Sequence, residues 1–383
     1  MKLVLALGTT QTIAWASSTY LPAIVAGPLA ESIGIARSTV FGAFSASLLV
    51  MAALGPRVGR LIDAGSGRGV LMASNVVLAA GLAALAAVQG PIGLFAAWAV
   101  IGIGMAMGLY DAAFAVLVRL RGREARGPIT GITLMAGFAS TVGWPLTAWL
   151  TARFGWREAC LAWMAIHLLI ALPLNRLCIP IQPSPERAAD RSDAPLEEKA
   201  PQPGAFPLLA IYFAFTAFVT SAMAAHLPGL LVATGVTMAA ALGASALLGP
   251  AQVAARLAEF LAERHFRYHP LLTARGATSL HPLGAAALLA IGGSPFAASL
   301  FAVVHGAGNG LITIAKGTLP LAIFGPAGYG ERQGFLAVLA RLMQACAPYA
   351  FGLVLDGLGV RAALFLSAGL SLAALATLFL LRR

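Results

Sequence analysis

Eight ionisable side chains lie inside long apolar stretches of this chain: Asp111, His167, His226, Arg275, His281, His305, Lys316 and Arg341. A charge in such surroundings is costly unless it meets a partner, water or a charged solute, so each is read first as a functional group. Asp111, Arg275, Lys316 and Arg341 fall toward one end of their stretches, where snorkelling lowers the cost. His226 sits beside Pro228, and an imidazole that titrates near pH ~6.5 offers a proton or solute site, with a hydrogen-bonded packing histidine as the alternative. His305 and Asn309 are one helical turn apart and share a face. His167 has no polar neighbours in sequence and reads as a packing or interfacial residue.

The first apolar stretch is unusually polar. Thr9, Thr10, Gln11, Thr12, Trp15, Ser17, Ser18, Thr19 and Tyr20 wrap much of a helix, which must therefore rest against protein or water rather than lipid. Gln11, Trp15 and Tyr20 are candidate solute contacts, with bonding between helices as the alternative. Between the second and third stretches, Gly55 to Leu71 holds Arg57, Gly59, Arg60, Asp63 and Arg68, in a protein of which only 10% is charged.

Other chemistries are missing from the sequence. No Gly-Lys-Ser/Thr is present to cradle a phosphate, which argues against an ATP-driven pump. Cys160, Cys178 and Cys346 are isolated, so neither a disulfide framework nor a zinc site is suggested. No other metal set or cofactor motif is seen. An intramembrane enzyme would need a nucleophile with its base or a metal cluster; no Ser-His-Asp spacing, His-Glu-x-x-His or acidic pair occurs. The net charge of +11 is not gathered into a basic, aromatic-interleaved stretch, so a nucleic-acid partner is not expected.

These groups need helices to position them. The chain is 59% hydrophobic, with a mean hydropathy of +0.86, and it reads as an all-α integral membrane protein. A bilayer core roughly 30 Å thick takes about 20 apolar residues per helix. The apolar runs then give about twelve transmembrane helices, near 3–27, 38–62, 69–89, 91–119, 128–151, 158–176, 206–232, 237–258, 270–292, 295–323, 334–355 and 361–381. The opening run resembles a signal peptide but continues to Ala26, too long for one. Pro180, Pro183, Pro185, Pro195, Pro201 and Pro203 mark 179–205 as a cytoplasmic linker between an N-terminal six-helix bundle, 1–178, and a C-terminal one, 206–383. With a cytoplasmic N-terminus, 18 of the 25 Lys and Arg residues lie inside and 4 outside. That bias places both termini in the cytoplasm.

The halves repeat. Tyr20-Leu-Pro22 echoes His226-Leu-Pro228, Arg60-Leu-Ile-Asp63 echoes Arg256-Leu-Ala-Glu259, Gly104/Ala106/Gly108 echoes Gly306/Gly308/Gly310, and Gly131 with Pro145 echoes Gly334 with Pro348. The four matches keep one order at separations of 196 to 206 residues, so the bundles are expected to be pseudo-symmetric. The intrahelical glycines, with Gly102, read as points of close helix packing.

The charged turn resembles the signature joining the second and third helices of major facilitator superfamily transporters, roughly Gly-x-Leu-x-Asp-Arg-x-Gly-x-Arg. Gly59, Leu61, Asp63 and Arg68 match, while Ala64 and Ser66 replace a basic residue and a glycine. With the repeats, the resemblance covers nearly the whole chain. It implies that the first, fourth, seventh and tenth helices line a central cavity, adding His226, His305, Asn309 and Lys316 to Gln11, Trp15 and Tyr20 as solute contacts. It also implies a cytoplasmic gating network of Gly59, Asp63, Arg68 and Asp111, mirrored by Arg256 and Glu259 with Arg341 or Lys316; direct solute contact by Asp111 and Lys316 is the alternative. The halves would rock about a midplane site.

The function expected is secondary active transport of a small solute across the cell inner membrane by alternating access, coupled to protons. The partners are the solute, protons and the lipid bilayer, and the protein is a monomer. Lys316, Arg341 and the histidines leave the intramembrane charge positive, which points to a small organic anion such as a monocarboxylate. The spacing of Asp63 and Arg68 is also closer to the monocarboxylate-type branch than to sugar porters. The alternative is an efflux antiporter for a drug-like or metalloid compound, since Gly137, Gly143, Trp144 and Pro145 resemble the antiporter glycine-proline motif. Cysteines introduced singly at Ser184 and Gly235 of a cysteine-free variant are expected to label from opposite sides of the membrane. Labelling of both from outside would reverse the orientation.

Overall fold

The computed structural model describes residues 2–181, 202–266 and 268–381. The body of the expected linker, 182–201, lies outside the described residues. Helices dominate, and no strand occurs among the described residues. The chain divides into two compact units. The first comprises Met1–Lys199 together with Gly325–Phe335, and the second Ala200–Phe324 with Leu336–Arg383.

In the first unit the helices are α1 Lys2–Ser17, α2 Pro22–Ile33, α3 Arg37–Leu61, α4 Gly67–Ala86, α5 Pro91–Gly108, α6 Tyr110–Arg121, α7 Arg126–Ala136, α8 Ala139–Phe154, α9 Trp156–Ile166 and α10 Leu172–Cys178. The helices α11 Ala205–Ala233, α12 Met238–Ala246, α13 Leu248–Phe266, α14 Pro270–Ile291 and α15 Pro295–Phe324 follow. Last is α16 Tyr329–Leu380, which non-helical Gly359 (φ 84°, ψ 177°) divides into two passes. Eight stretches of the described residues are long and apolar enough to cross a membrane. Three of these, Arg37–Ala86, Pro91–Phe154 and Tyr329–Leu380, each hold two passes. With α14 they make the expected twelve-helix membrane architecture. Apolar side chains such as Ile92, Leu169, Phe296 and Phe365 face outward, as suits lipid.

Expected single spans are broken where the chemistry lies. The first pass interrupts after Ser17. There the hydroxyls of Ser17 and Ser18 bond back to the Ile13 and Ala14 carbonyls, and Pro22 supplies no amide to the next turn. The fourth breaks at Leu109, whose extended backbone (φ −83°, ψ −173°) separates α5 from α6. The sixth carries a π-turn, His167–Ala171, between α9 and α10. Between α3 and α4, Gly65 (φ 95°) takes a left-handed conformation that turns the chain within Ile62–Ser66 and sets Asp63 at the end of the helix pair.

The repeated glycines are contact points. A Cβ on Gly102 would lie 2.6 Å from the Ser47 carbonyl oxygen, and one on Gly108 would lie 2.6 Å from Ser74 Oγ. Their counterparts Gly306, Gly308 and Gly310 meet the carbonyls of Leu248, Ala277 and Gln252 in the same way, at 2.7, 2.7 and 2.6 Å. Backbone against backbone leaves no room for a side chain. Gly102→Val is therefore expected to cost about 1–3 kcal/mol through overpacking, read as a lower unfolding temperature of purified protein. Gly69→Val, with open space at its Cβ, serves as the control.

Candidate functional site

In the first unit, Asp63 receives the start of α16. Its Oδ1 accepts from the Gly330 amide at 2.9 Å and its Oδ2 from the Glu331 amide at 2.8 Å. These are first-turn N–H groups without an intrahelical acceptor, at the positive end of the helix dipole, so a carboxylate is the natural acceptor. The approach requires glycine on both sides. A Cβ at Gly59 would overlap the Gly330 carbonyl, and one at Gly334 would lie 2.5 Å from the Gly55 carbonyl oxygen. An exposed ion pair, Arg60 Nη1 to Glu331 Oε1 at 2.9 Å, closes the rim. Gln333 Nε2 donates to Asp111 Oδ1 at 3.3 Å, so Asp111 joins the same segment. Arg68 stands half-buried beyond the Gly65 turn, and Asp63 meets amides where a guanidinium was expected.

The first-pass residues also converge. Gln11 Nε2 donates to the Gly108 carbonyl at 2.6 Å, an oxygen at the α5–α6 break. Its Oε1 and the Trp15 Nε1 are buried without a hydrogen-bond partner among the described residues. Trp15 packs on Tyr110 with centroids 5.0 Å apart and on Tyr20 at 6.2 Å. Tyr20 meets Trp144 edge-on at 5.6 Å, and Trp144 Nε1 donates to the Tyr20 carbonyl at 3.2 Å. Trp15 and Tyr20 thus form part of an aromatic strip completed by Tyr110 and Trp144, while Gln11 is bound at the α5–α6 break.

His167 departs from its expected isolation. Its Nε2 lies 2.7 Å from Ser17 Oγ and its Nδ1 2.9 Å from Asn75 Oδ1. Both partners come from other helices, which no inspection of neighbours along the chain reveals. Ser17 and His167 are completely buried, so this Ser-His-Asn string works as a tie across α1, α4 and the π-turn rather than as a nucleophile.

In the second unit the expected residues divide: His305 and Asn309 line one small cavity, and His226 sits elsewhere. His226 Nε2 contacts the Pro348 carbonyl at 2.7 Å, beside Phe351. Asn309 Oδ1 accepts from Thr220 Oγ1 at 2.9 Å, and Lys316 follows two turns later on α15, half-buried. His305 faces His281 of α14, Nδ1 to Nδ1, at 2.8 Å. The Arg256 Nε donates to the Gly310 carbonyl at 3.2 Å, and its Nη2 reaches Gln252 and Thr313. Glu259 accepts from the Tyr268 and Thr273 hydroxyls. Arg341 Nη1 donates to Gln344 Oε1 at 2.7 Å. Arg256 and Glu259 repeat the sequence of the Arg60–Asp63 turn, and they bind side-chain groups and a carbonyl. Among the described residues no three His, Cys, Asp or Glu side chains group as a metal site.

The Major Facilitator Superfamily model matches residues 7–295. The chain is 33% identical over 152 residues to an uncharacterized 38 kDa protein in a 23S RNA operon of Thermoproteus tenax. That match takes in 39% of this chain and spans 37% of the relative's length. Among solved structures it is similar to the human organic anion transporter MFSD10 (TETRAN), with TM-score 0.75, 16% identity, and coverage of 98% of this chain and 99% of that one. The E. coli fucose:proton symporter FucP gives 0.73 and 14%, with coverage of 99% and 98%. The proton:xylose symporter XylE gives 0.74 and 12%, with coverage of 98% and 95%. Likeness at these identities concerns the fold.

Asp63→Asn sets a donor where one of the two amides now finds an oxygen. The variant is expected to lose about 1–3 kcal/mol of local stability at residues 329–333, seen as faster backbone hydrogen exchange there. Unchanged exchange would show that the carboxylate does not hold this segment.

Proposed function

The chain belongs to the Major Facilitator Superfamily, and from that premise we propose that it is a secondary active transporter moving a small organic anion together with protons by alternating access. Members of this family are transporters, so the chain is a membrane transporter and not an enzyme. The proposal extends to residence in the cell inner membrane as a monomer with both termini in the cytoplasm.

One observation carries the choice of an anion. Helices α11, α14 and α15 hold His226, Arg275, His281, His305 and Lys316 and contain no Asp or Glu. Cationic and titratable groups concentrated there without carboxylates favour a solute that brings its own negative charge. Asn309 and Lys316, two turns apart on α15, are the proposed carboxylate contacts, with His226. Gln11, with its unmatched Oε1, and Trp15 and Tyr20 of the aromatic strip are the contacts proposed from the first unit. The organic anion carried by MFSD10 and the protons carried by FucP and XylE are compatible with this reading.

The mechanism proposed for the Asp63 clasp is gating. A segment held by two amide bonds, one rim ion pair and glycine-only contacts can be released as a unit, because these interactions all fall within Gly330–Gly334 of α16. Solute or proton binding shifts the balance between clasped and released states by its differential affinity for them.

Proteoliposomes containing the purified protein are expected to accumulate radiolabelled lactate when a pH gradient is imposed, and empty liposomes are not. Lys316→Gln should abolish lactate binding measured by calorimetry, and Lys316→Arg should restore it only in part, because a planar fork meets a carboxylate differently from a point charge. Unchanged affinity in Lys316→Gln would leave Gln11, Tyr20, His226 and Asn309 as the pocket and favour a neutral solute.

A further inference from the structure

We propose that His281 and His305, with the small polar cavity they line in the second unit, form a site that takes up a single proton. The inference rests on the transporter reading only for the use made of that proton. The two rings are almost completely buried, 4% exposed each, and meet Nδ1 to Nδ1 at 2.8 Å. Thr216, Thr220, Thr278, Asn309 and Ser371 complete the polar lining, and the space holds roughly a single water molecule.

Hydrogen-bond arithmetic fixes what the pair can do. A neutral imidazole has one N–H and one bare nitrogen. For two neutral rings to approach through Nδ1, one Nδ1–H must donate and the other Nδ1 must be bare. The donor ring then has a bare Nε2, whichever histidine it is, and the acceptor ring carries its proton on Nε2. The pair therefore presents a single basic lone pair. His281 Nε2 is buried with no protein partner among the described residues, so His281 is assigned as the Nδ1–H donor and its bare Nε2 faces the cavity, where a water is its available contact. A hydronium ion arriving there transfers its proton directly to that Nε2. An N–H bond forms, an O–H bond breaks, and neutral water remains. The pair is left with one positive charge and a charge-assisted Nδ1–H···Nδ1 bond. A further proton would have to bind the remaining bare Nδ1, and two N–H groups would then face each other. The capacity is one.

The surroundings make that charge conditional. On α11, α14 and α15 the titratable or charged groups nearest along each helix are Tyr212, Arg275 and Lys316, none of them an anion at neutral pH; the second pass of α16, which contributes Ser371, carries Arg361, and Glu331, Arg332, Arg341 and Asp356 lie on its first pass, before Gly359. Helix α13, packed behind α15, contributes Arg256, bound to the Gly310 carbonyl, and Glu259, whose oxygens are occupied by Tyr268 and Thr273. The Phe301 ring, stacked on His305 at 5.9 Å and 8°, offers an electron-rich face to an imidazolium. A protonated pair here has no carboxylate on α11, α14 or α15, so an anionic solute on α15 would favour proton uptake, and the proton would favour the anion equally.

The test uses the full chain in lipid nanodiscs, labelled with nitrogen-15 at its six histidines. Titrated from about pH 8 to about pH 4, the ring nitrogens of His281 and His305 should shift together in a single one-proton step. In His281→Gln the shared step should vanish and His305 should titrate at a different pH. Separate, independent titration of the two rings in the unaltered protein, or no titration of either, overturns the proposal without recourse to any variant. In proteoliposomes, pH-driven lactate accumulation should fall at least tenfold in His281→Gln, and undiminished accumulation would overturn the coupling role. If the unaltered protein moves no lactate, the anion reading fails, and the nitrogen-15 titration still decides for or against the proton site.

Discussion

Inside an apolar bundle, a backbone group released by a helix break or left over at a helix end has no water to turn to, and some side chain from another helix must answer it. Much of the organisation described above follows from that demand. Gln11 answers the carbonyl at the α5–α6 break, and Asp63 answers the first amides of α16. His226 answers the Pro348 carbonyl, and Arg275 those of Leu378 and Leu381. Polar side chains in these helices are tied to irregular or terminal backbone, which is where a bundle can also change conformation at least cost.

The clasp and the histidine pair satisfy their polar groups by opposite means. At Asp63 a full negative charge is held by two N–H groups at a helix end, an arrangement that needs the charge in place and is reached through glycine on both sides. At His281 and His305 two neutral rings satisfy each other at one nitrogen and leave one basic position facing a small space. The first is a latch whose strength is fixed by geometry. The second has a strength that depends on what enters the cavity.

Much of the fold was legible in the sequence, because a span needs little more than an apolar run of sufficient length and the runs here are separated by charged or Gly/Pro-rich turns. The breaks were less so. Leu109 is an ordinary apolar residue, and its neighbour Gly108 lies against Ser74, a tertiary contact that the sequence does not announce. Gly59 and Asp63 stood out because charge is scarce in this chain. Their partners Gly330 and Glu331 did not, since the clasp joins positions 267 and 268 residues apart. His167 was judged by its neighbours along one helix, whereas its partners Ser17 and Asn75 come from two others. Glu259 shows the reverse limit. Its sequence repeats that of Asp63, but the hydroxyls of Tyr268 and Thr273 bind it, and neither could be read from the repeat.

The segment Gly325–Phe335 lies near the end of the chain but packs as part of the first unit. On a ribosome, therefore, Asp63 enters the membrane long before the amides that complete it have been made. Domains generally fold in order of synthesis, so the first unit must wait in the bilayer with the Asp63 carboxylate and a glycine-lined notch still uncovered while most of the second unit is translated and inserted. The nascent protein thus has a built-in late step, and a truncation just before Gly325 would leave the first unit without the segment that completes it.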